Sequence, residues 1–263
     1  MTKDIVADGF RPDINGLRAW AVAAVVLYHF GVPGFSGGFA GVDVFFVISG
    51  FLMAGIVCTA IESRRFNLWG FYLARARRIL PALIVLVMVV LVMGWFLLMP
   101  GDYQMLGGHA RESLLFTSNH RYLSEAGYFD TASHAKWLLH TWSLSVEWQF
   151  YLAYPLMLLV LAKWLPRQRA LLGAHVLALL ISLLLCVLLT IEEPEKAFYW
   201  LPSRAWELIL GSCVYLLGRN LCLESARARL TELLGVALIL ASVMLIDSSM
   251  PWPGGLALLP VSG

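Results

Sequence analysis

The chain has 263 residues, 60% of them hydrophobic and 14% charged, with a mean hydropathy of +0.76. This apolar share exceeds the roughly 45–50% of a soluble domain and excludes an ordinary soluble enzyme. A net charge of only +2 without any Lys/Arg tract excludes a nucleic-acid-binding arm, so the composition predicts an all-α fold, a polytopic transmembrane helix bundle.

The N-terminal residues mix Lys3, Asp4, Asp8, Arg11 and Asp13, without the basic region and small-residue cleavage site of a signal peptide. The first apolar segment, Gly16 to Phe30, is therefore expected to stay as a membrane helix. Asp13 or Asn15 can cap it after Pro12, and Gly31-Val32-Pro33-Gly34 stops it, leaving about 16 helical residues. The segment carries Arg18 and His29, eleven positions apart, which puts both on one helical face roughly 16 Å from each other. Ionisable groups at membrane depth usually face a protein interior or a watery cavity. The alternative is that Arg18 snorkels to the headgroups and His29 anchors the opposite interface.

A second apolar segment covers residues 42–61, with Asp43 near its start. Residues 62–78 hold Arg64, Arg65, Arg75, Arg77 and Arg78, and residues 79–98 form an uncharged third span. Residues 101–136 read as a long polar connection in which residues 106–116 can form an amphipathic helix. The fourth span covers residues 138–162 and the fifth 171–191, followed by an acidic turn at Glu192, Glu193 and Glu195. The sixth covers 205–217, a mostly basic loop occupies 219–229, the seventh covers 233–246, and residues 254–263 begin another apolar stretch. With a cytoplasmic N-terminus, the loops at 62–78, 163–169 and 219–232 are all inside and hold most of the basic residues. The whole of 1–263 reads as one membrane domain of about seven spans plus the start of another.

Cys58, Cys186, Cys213 and Cys222 show no Cys-x-x-Cys spacing and read as unpaired thiols that bind no metal. Nucleophile-elbow, zincin, Walker and dinucleotide-binding signatures are missing, and no bound cofactor is expected. Arg75 and Arg78, spaced i,i+3, can clamp a phosphate or diphosphate at the cytoplasmic surface, or simply anchor the chain there. His29 and Asp43 lie near the outer ends of neighbouring segments, so that a carboxylate can orient an imidazole for deprotonating a hydroxyl. A helix-end hydrogen bond without catalysis is the alternative. His140, Ser143 and Glu147 follow one stripe of the fourth span, as a site or as a buried structural hydrogen bond. Arg204 and Glu207 are expected to form a structural ion pair.

Four motifs in order carry a resemblance: Arg18-x10-His29; the run Gly41-Val42-Asp43-Val44-Phe45-Phe46-Val47-Ile48-Ser49-Gly50-Phe51-Leu52; Arg75-x-x-Arg78 before Ile79-Leu80-Pro81; and Trp142-Ser143-Leu144-Ser145-Val146-Glu147. Together, from Phe10 onward, they resemble the membrane acyltransferase 3 family. The resemblance implies transfer of an acyl group, usually acetyl from cytoplasmic acetyl-CoA, to a hydroxyl of a cell-envelope glycan at the bacterial inner membrane. By position, Arg18 and His29 match the family's essential pair, and Arg75 and Arg78 match its cytoplasmic Arg-x-x-Arg associated with the CoA donor. Tyr128-Phe129-Asp130, followed by His140-Thr141-Trp142-Ser143, is similar to the subgroup acting on lipopolysaccharide O-antigen or peptidoglycan-related sugars. Members of that subgroup often carry an SGNH-type periplasmic esterase domain.

Trp148 stands where the family usually has a second acidic residue, and family members have about ten helices, so the resemblance implies a C-terminally truncated chain. The expected assignment makes His29, Asp43 and Glu147 catalytic and Arg18, Arg75 and Arg78 donor-binding, with acyl-CoA, an envelope glycan and the lipid bilayer as partners. His29 acts either as general base or as a transient acyl carrier. A glycan transporter or flippase, or an inactive assembly partner, is the rival class, distinguished by whether acyl-CoA is consumed.

Overall fold

The computed structural model describes residues 11–126, 135–165, 168–219 and 224–263. Tyr128, Phe129, Asp130, Arg167 and Cys222 lie outside the described residues. Apart from turns, every regular element among the described residues is helical, as the composition requires.

Helix α1 runs Pro12–His29, two residues longer than expected. It starts earlier because Pro12 at the first helical position needs no N–H partner and brings its φ preset. Asp13 does not cap the helix but pairs with Arg11 at 2.6 Å. The stop is the expected one: Gly31 and Gly34 adopt φ of +65° and +86°, open to glycine at little cost. Helix α2 (Gly41–Glu62) follows a 3₁₀ turn at Gly38–Ala40.

Helix α3 (Leu68–Leu97) is capped by Asn67, whose Oδ1 accepts from the backbone N–H groups of Trp69 and Gly70 at 3.1 and 3.3 Å. Its buried residues are Phe71, Leu83, Val87 and Gly94, while Val85, Leu86, Met88, Val89, Val92 and Met93 are exposed, as suits a face turned to lipid. The connection expected over 101–136 is more ordered than its polarity suggests. Helix α4 (Pro100–Leu114) and helix α5 (Ser118–Glu125) are joined at Phe116, which takes φ +56°. Leu106 and Ala110 of α4 join Leu83, Val87, Phe116 and Leu138 in one buried cluster. The amphipathic stretch thus buries its apolar side against α3.

Helices α6 (Thr141–Trp164), α7 (Gln168–Glu192), α9 (Leu201–Gly218) and α10 (Ser225–Leu245) occupy the remaining expected spans, and the acidic turn continues into a short α8 (Pro194–Tyr199). Residues 254–263 contain a 3₁₀ turn at Gly255–Ala257 and α11 (Leu258–Val261). Five of the seven expected spans, those carried by α2, α3, α6, α7 and α10, are long and apolar enough to cross a membrane. The other two, α1 and α9, are 18-residue helices with ionisable side chains along them.

The chain divides into two compact units, one of residues 1–59, 159–198 and 202–263, the other of 60–158 and 199–201. In the first, α2 buries Asp43, Val44, Phe46, Ile48, Ser49 and, after Gly50, Met53, Ala54, Val57 and Cys58, and glycines let neighbouring backbones close on it. A Cβ on Gly50 would lie 1.8 Å from the carbonyl oxygen of Leu208, and one on Gly211 would lie 1.9 Å from that of Val47. Ser212 Oγ adds a hydrogen bond to the Gly50 carbonyl at 3.2 Å. Asp43 near the start of α2 meets Arg204 near the start of α9, and Thr59 near its end meets Tyr215 near the other's end, so the two helices are parallel, as spans two and six must be.

In the second unit, Glu125 at the end of α5 accepts from His109 Nε2 at 2.9 Å and faces Arg121 Nε at 2.5 Å and Lys136 Nζ at 3.3 Å. Burial alone would raise its carboxyl pKa, but the His109 hydrogen bond and the charges of His109 and Arg121 outweigh it, and the net shift is downward. A carboxyl lowered on folding adds stability above its unfolded pKa of about 4.3 and loses it as pH falls through the lower folded value. Melting curves of wild type and Glu125→Gln are therefore expected to differ at neutral pH and to converge in acid; a constant gap would contradict this.

Candidate active site

Within the first unit, α1 carries Arg18 and His29 as the helical spacing predicts. His29 is exposed at the C-terminal end of the helix, and its Nδ1 lies 2.8 Å from the carbonyl oxygen of Val25. A carbonyl only accepts, so Nδ1 carries the hydrogen and the basic lone pair of the neutral ring belongs to Nε2. Tyr28 meets the imidazole edge-on at 4.9 Å and Phe39 at 5.2 Å, and Phe39 in turn meets Trp252 at 5.0 Å. Arg18 is half-buried, with its guanidinium 4.9 Å from the centre of the Phe45 ring on α2. Because α1 starts at Pro12, Arg18 sits about 9 Å into the helix, deeper than the surface level expected of it.

The structure gives Asp43 a different partner from the one expected. The loop after α1 folds back down the helix: a Cβ on Gly38 would meet the Ala24 carbonyl oxygen at 2.3 Å, and one on Gly41 would meet that of Ala21 at 2.3 Å. Helix α2 therefore begins beside Ala21, eight residues or about 12 Å below His29. Asp43 faces Arg204 of α9 instead, Oδ1 to Nη2 at 2.9 Å, and Arg204 Nη1 lies 3.2 Å from Glu207 Oε1. All three residues are wholly buried, with Phe46 and Phe198 rings 5.6 and 5.9 Å from the guanidinium. The expected Arg204–Glu207 pair is present, but as part of a three-member cluster joining α2 to α9.

Breaking a buried ion pair from one side leaves an uncompensated charge worth about 3–5 kcal/mol. Arg204→Met, which leaves the buried acids of α2 and α9 without their cation, is expected to lower the melting temperature of the detergent-solubilised protein far more than Arg18→Met does. Equal shifts would show that the cluster is not buried as described.

In the second unit, Arg75 is half-buried with its guanidinium 5.8 Å from the Phe71 ring, while Arg78 is exposed one turn further along α3. Glu147 is buried in α6 and accepts a short hydrogen bond from the Tyr151 hydroxyl, i+4 on the same helix. His140 does not share that stripe, because α6 begins at Thr141; its carbonyl accepts from Ser143 Oγ at 3.2 Å. Neighbouring hydroxyls form a buried chain: Ser113 to Thr141 at 2.7 Å, Thr141 to Ser118 at 3.1 Å, and Ser118 to Ser145 at 2.7 Å. Sequence reasoning missed Arg204 as partner of Asp43 and the Val25 carbonyl as partner of His29. The Tyr151–Glu147 spacing was the one available signal.

Among the described residues no group of three or more His, Cys, Asp or Glu side chains is arranged to hold a metal, and Cys58, Cys186 and Cys213 are buried thiols. These features define an all-α, multi-pass membrane protein that places ionisable side chains inside its helices. The chain belongs to the acyltransferase 3 family, whose acyltransferase domain matches residues 11–262. It is 36% identical over 204 residues to the peptidoglycan O-acetyltransferase OatA of Listeria monocytogenes, covering 76% of this chain and 33% of that protein. It is 30% identical over 267 aligned positions to YrhL of Bacillus subtilis, a candidate peptidoglycan O-acetyltransferase, covering 95% and 42%. Identity is 34% over 263 positions to BcsY of Komagataeibacter xylinus, a candidate membrane-bound transacylase, covering 99% and 65%. The chain thus spans between a third and two-thirds of the length of these relatives. No solved structure is a significant match.

Proposed function

We propose that this protein is a membrane O-acyltransferase that moves an acyl group, acetyl in the simplest case, from cytoplasmic acyl-CoA to a hydroxyl of peptidoglycan. The observation that carries the reading is the family match over residues 11–262. Peptidoglycan is favoured over lipopolysaccharide O-antigen because two of the three relatives described above carry it in their names. The protein lies in the bacterial inner membrane with its N-terminus cytoplasmic, supported by the basic loops falling on one side. An SGNH-type esterase domain, fused or separate, is the expected partner on the same glycan.

In this reading Nε2 of His29 takes the proton from the acceptor hydroxyl as its oxygen attacks the thioester carbonyl carbon. The tetrahedral intermediate collapses, the C–S bond breaks, and the departing thiolate takes up a proton, leaving ester and free CoA. The Val25 carbonyl, rather than Asp43, orients the imidazole. Arg75 and Arg78 bind the donor's phosphates, with Arg18 acting deeper in the helix. Glu147 remains a catalytic candidate, with its carboxylate held by the Tyr151 hydroxyl.

Membranes containing the chain are incubated with acetyl-CoA radiolabelled in the acetyl group. Base-labile label in peptidoglycan supports the reading; donor left unconsumed while glycan still crosses the membrane would replace it with a transporter. Arg75→Ala and Arg78→Ala are each expected to raise the KM for acetyl-CoA about tenfold or more, from the loss of one charge-assisted hydrogen bond, with a smaller change in kcat.

A further inference from the structure

We infer that the Asp43–Arg204–Glu207 cluster is electrically neutral, its two carboxyl groups holding one proton between them. The first support is charge balance. Two carboxylates and one guanidinium, none exposed to solvent, would leave a net charge of −1 in the interior of a membrane helix pair, the least favourable place for one. Cys186 of α7 also interacts electrostatically with all three and brings no positive charge. Two carboxyl groups that share a site do not both ionise readily.

The second support is hydrogen-bond geometry. Both carboxyl groups converge on the one guanidinium, Asp43 Oδ1 at 2.9 Å and Glu207 Oε1 at 3.2 Å. Ionised carboxylates only accept, so two of them in one dry site crowd acceptor against acceptor; a proton on one acid turns it into a donor. Both acids reach the same guanidinium, so the proton belongs to the pair and one negative charge is left to balance Arg204. The cluster then joins α2 to α9 as a neutral unit, beside the backbone approach at Gly50 and Gly211. This inference is independent of the acyl-transfer reading.

The test is infrared spectroscopy of the full chain in lipid nanodiscs at neutral pH, in H2O and D2O, as difference spectra of wild type against Glu207→Gln and against Asp43→Asn. Each variant keeps one carboxylate for Arg204, so each is expected to fold. Both differences should show loss of one protonated-carboxyl C=O band, because in Asp43→Asn the remaining acid ionises to balance Arg204. Should one variant fail to fold, the other suffices. A wild-type spectrum without that band, or a band that persists in a folded variant, overturns the inference.

Discussion

Replacing His29 with Ala is expected to lower acyl transfer to glycan by about 10²–10⁴-fold, the usual contribution of a positioned general base. The chain should still insert, because the side chain is exposed at the end of α1 and buries no apolar contact of weight. His29→Gln refines the result: its amide can still donate toward the Val25 carbonyl but has no basic nitrogen, so it should fall as far as alanine does. The comparison is read from labelled acetyl-CoA in membranes matched for protein content. Activity near wild type in either variant would remove His29 from the chemistry and leave the family assignment standing on its own.

Gly50→Val and Gly211→Val are expected to prevent stable folding, the largest structural effect that a single added side chain should have here. Even the first carbon placed at these sites falls 1.8–1.9 Å from a backbone carbonyl oxygen, which cannot rotate aside as a flexible side chain would. Overpacking typically costs about 1–3 kcal/mol, and a clash with backbone belongs at or above the upper end. Gly107→Ala in α4 is the control, since nothing lies within 4 Å of its added carbon and alanine favours a helix by about 0.5–1 kcal/mol. Detergent-solubilised samples should show loss of the folded peak for the valine variants and an unchanged or slightly raised melting temperature for the control. A folded Gly50→Val protein with wild-type stability would mean that α2 and α9 do not pack this closely.

The sequence read well wherever an effect depends on neighbours along the chain. Hydrophobic runs placed α2, α6 and α7 to within a few residues, but α3 starts eleven residues before its expected span and α10 eight, because the charged residues before each are also helical. Gly31 and Gly34 ended α1 as expected, and the Arg204–Glu207 pair followed from i,i+3 spacing. Residues 101–136 read as a polar connection with an amphipathic helix over 106–116; the helix is there, but it starts at Pro100, packs its apolar stripe on α3 and is followed by a second short helix.

Composition and helical periodicity alone were enough to define a multi-pass helical membrane protein and to put Arg18 and His29 on one face, because those properties arise within single helices and their solvent. Which carboxylate meets which cation was decided only in three dimensions. Asp43 and Arg204 are 161 positions apart and meet because glycines at 38, 41, 50 and 211 let backbones approach, lowering the start of α2 beside Ala21 and bringing α9 against it. A side chain's partner depends on helix depth and rotation, and these are set by close packing between distant segments that leaves no periodic trace in the chain itself.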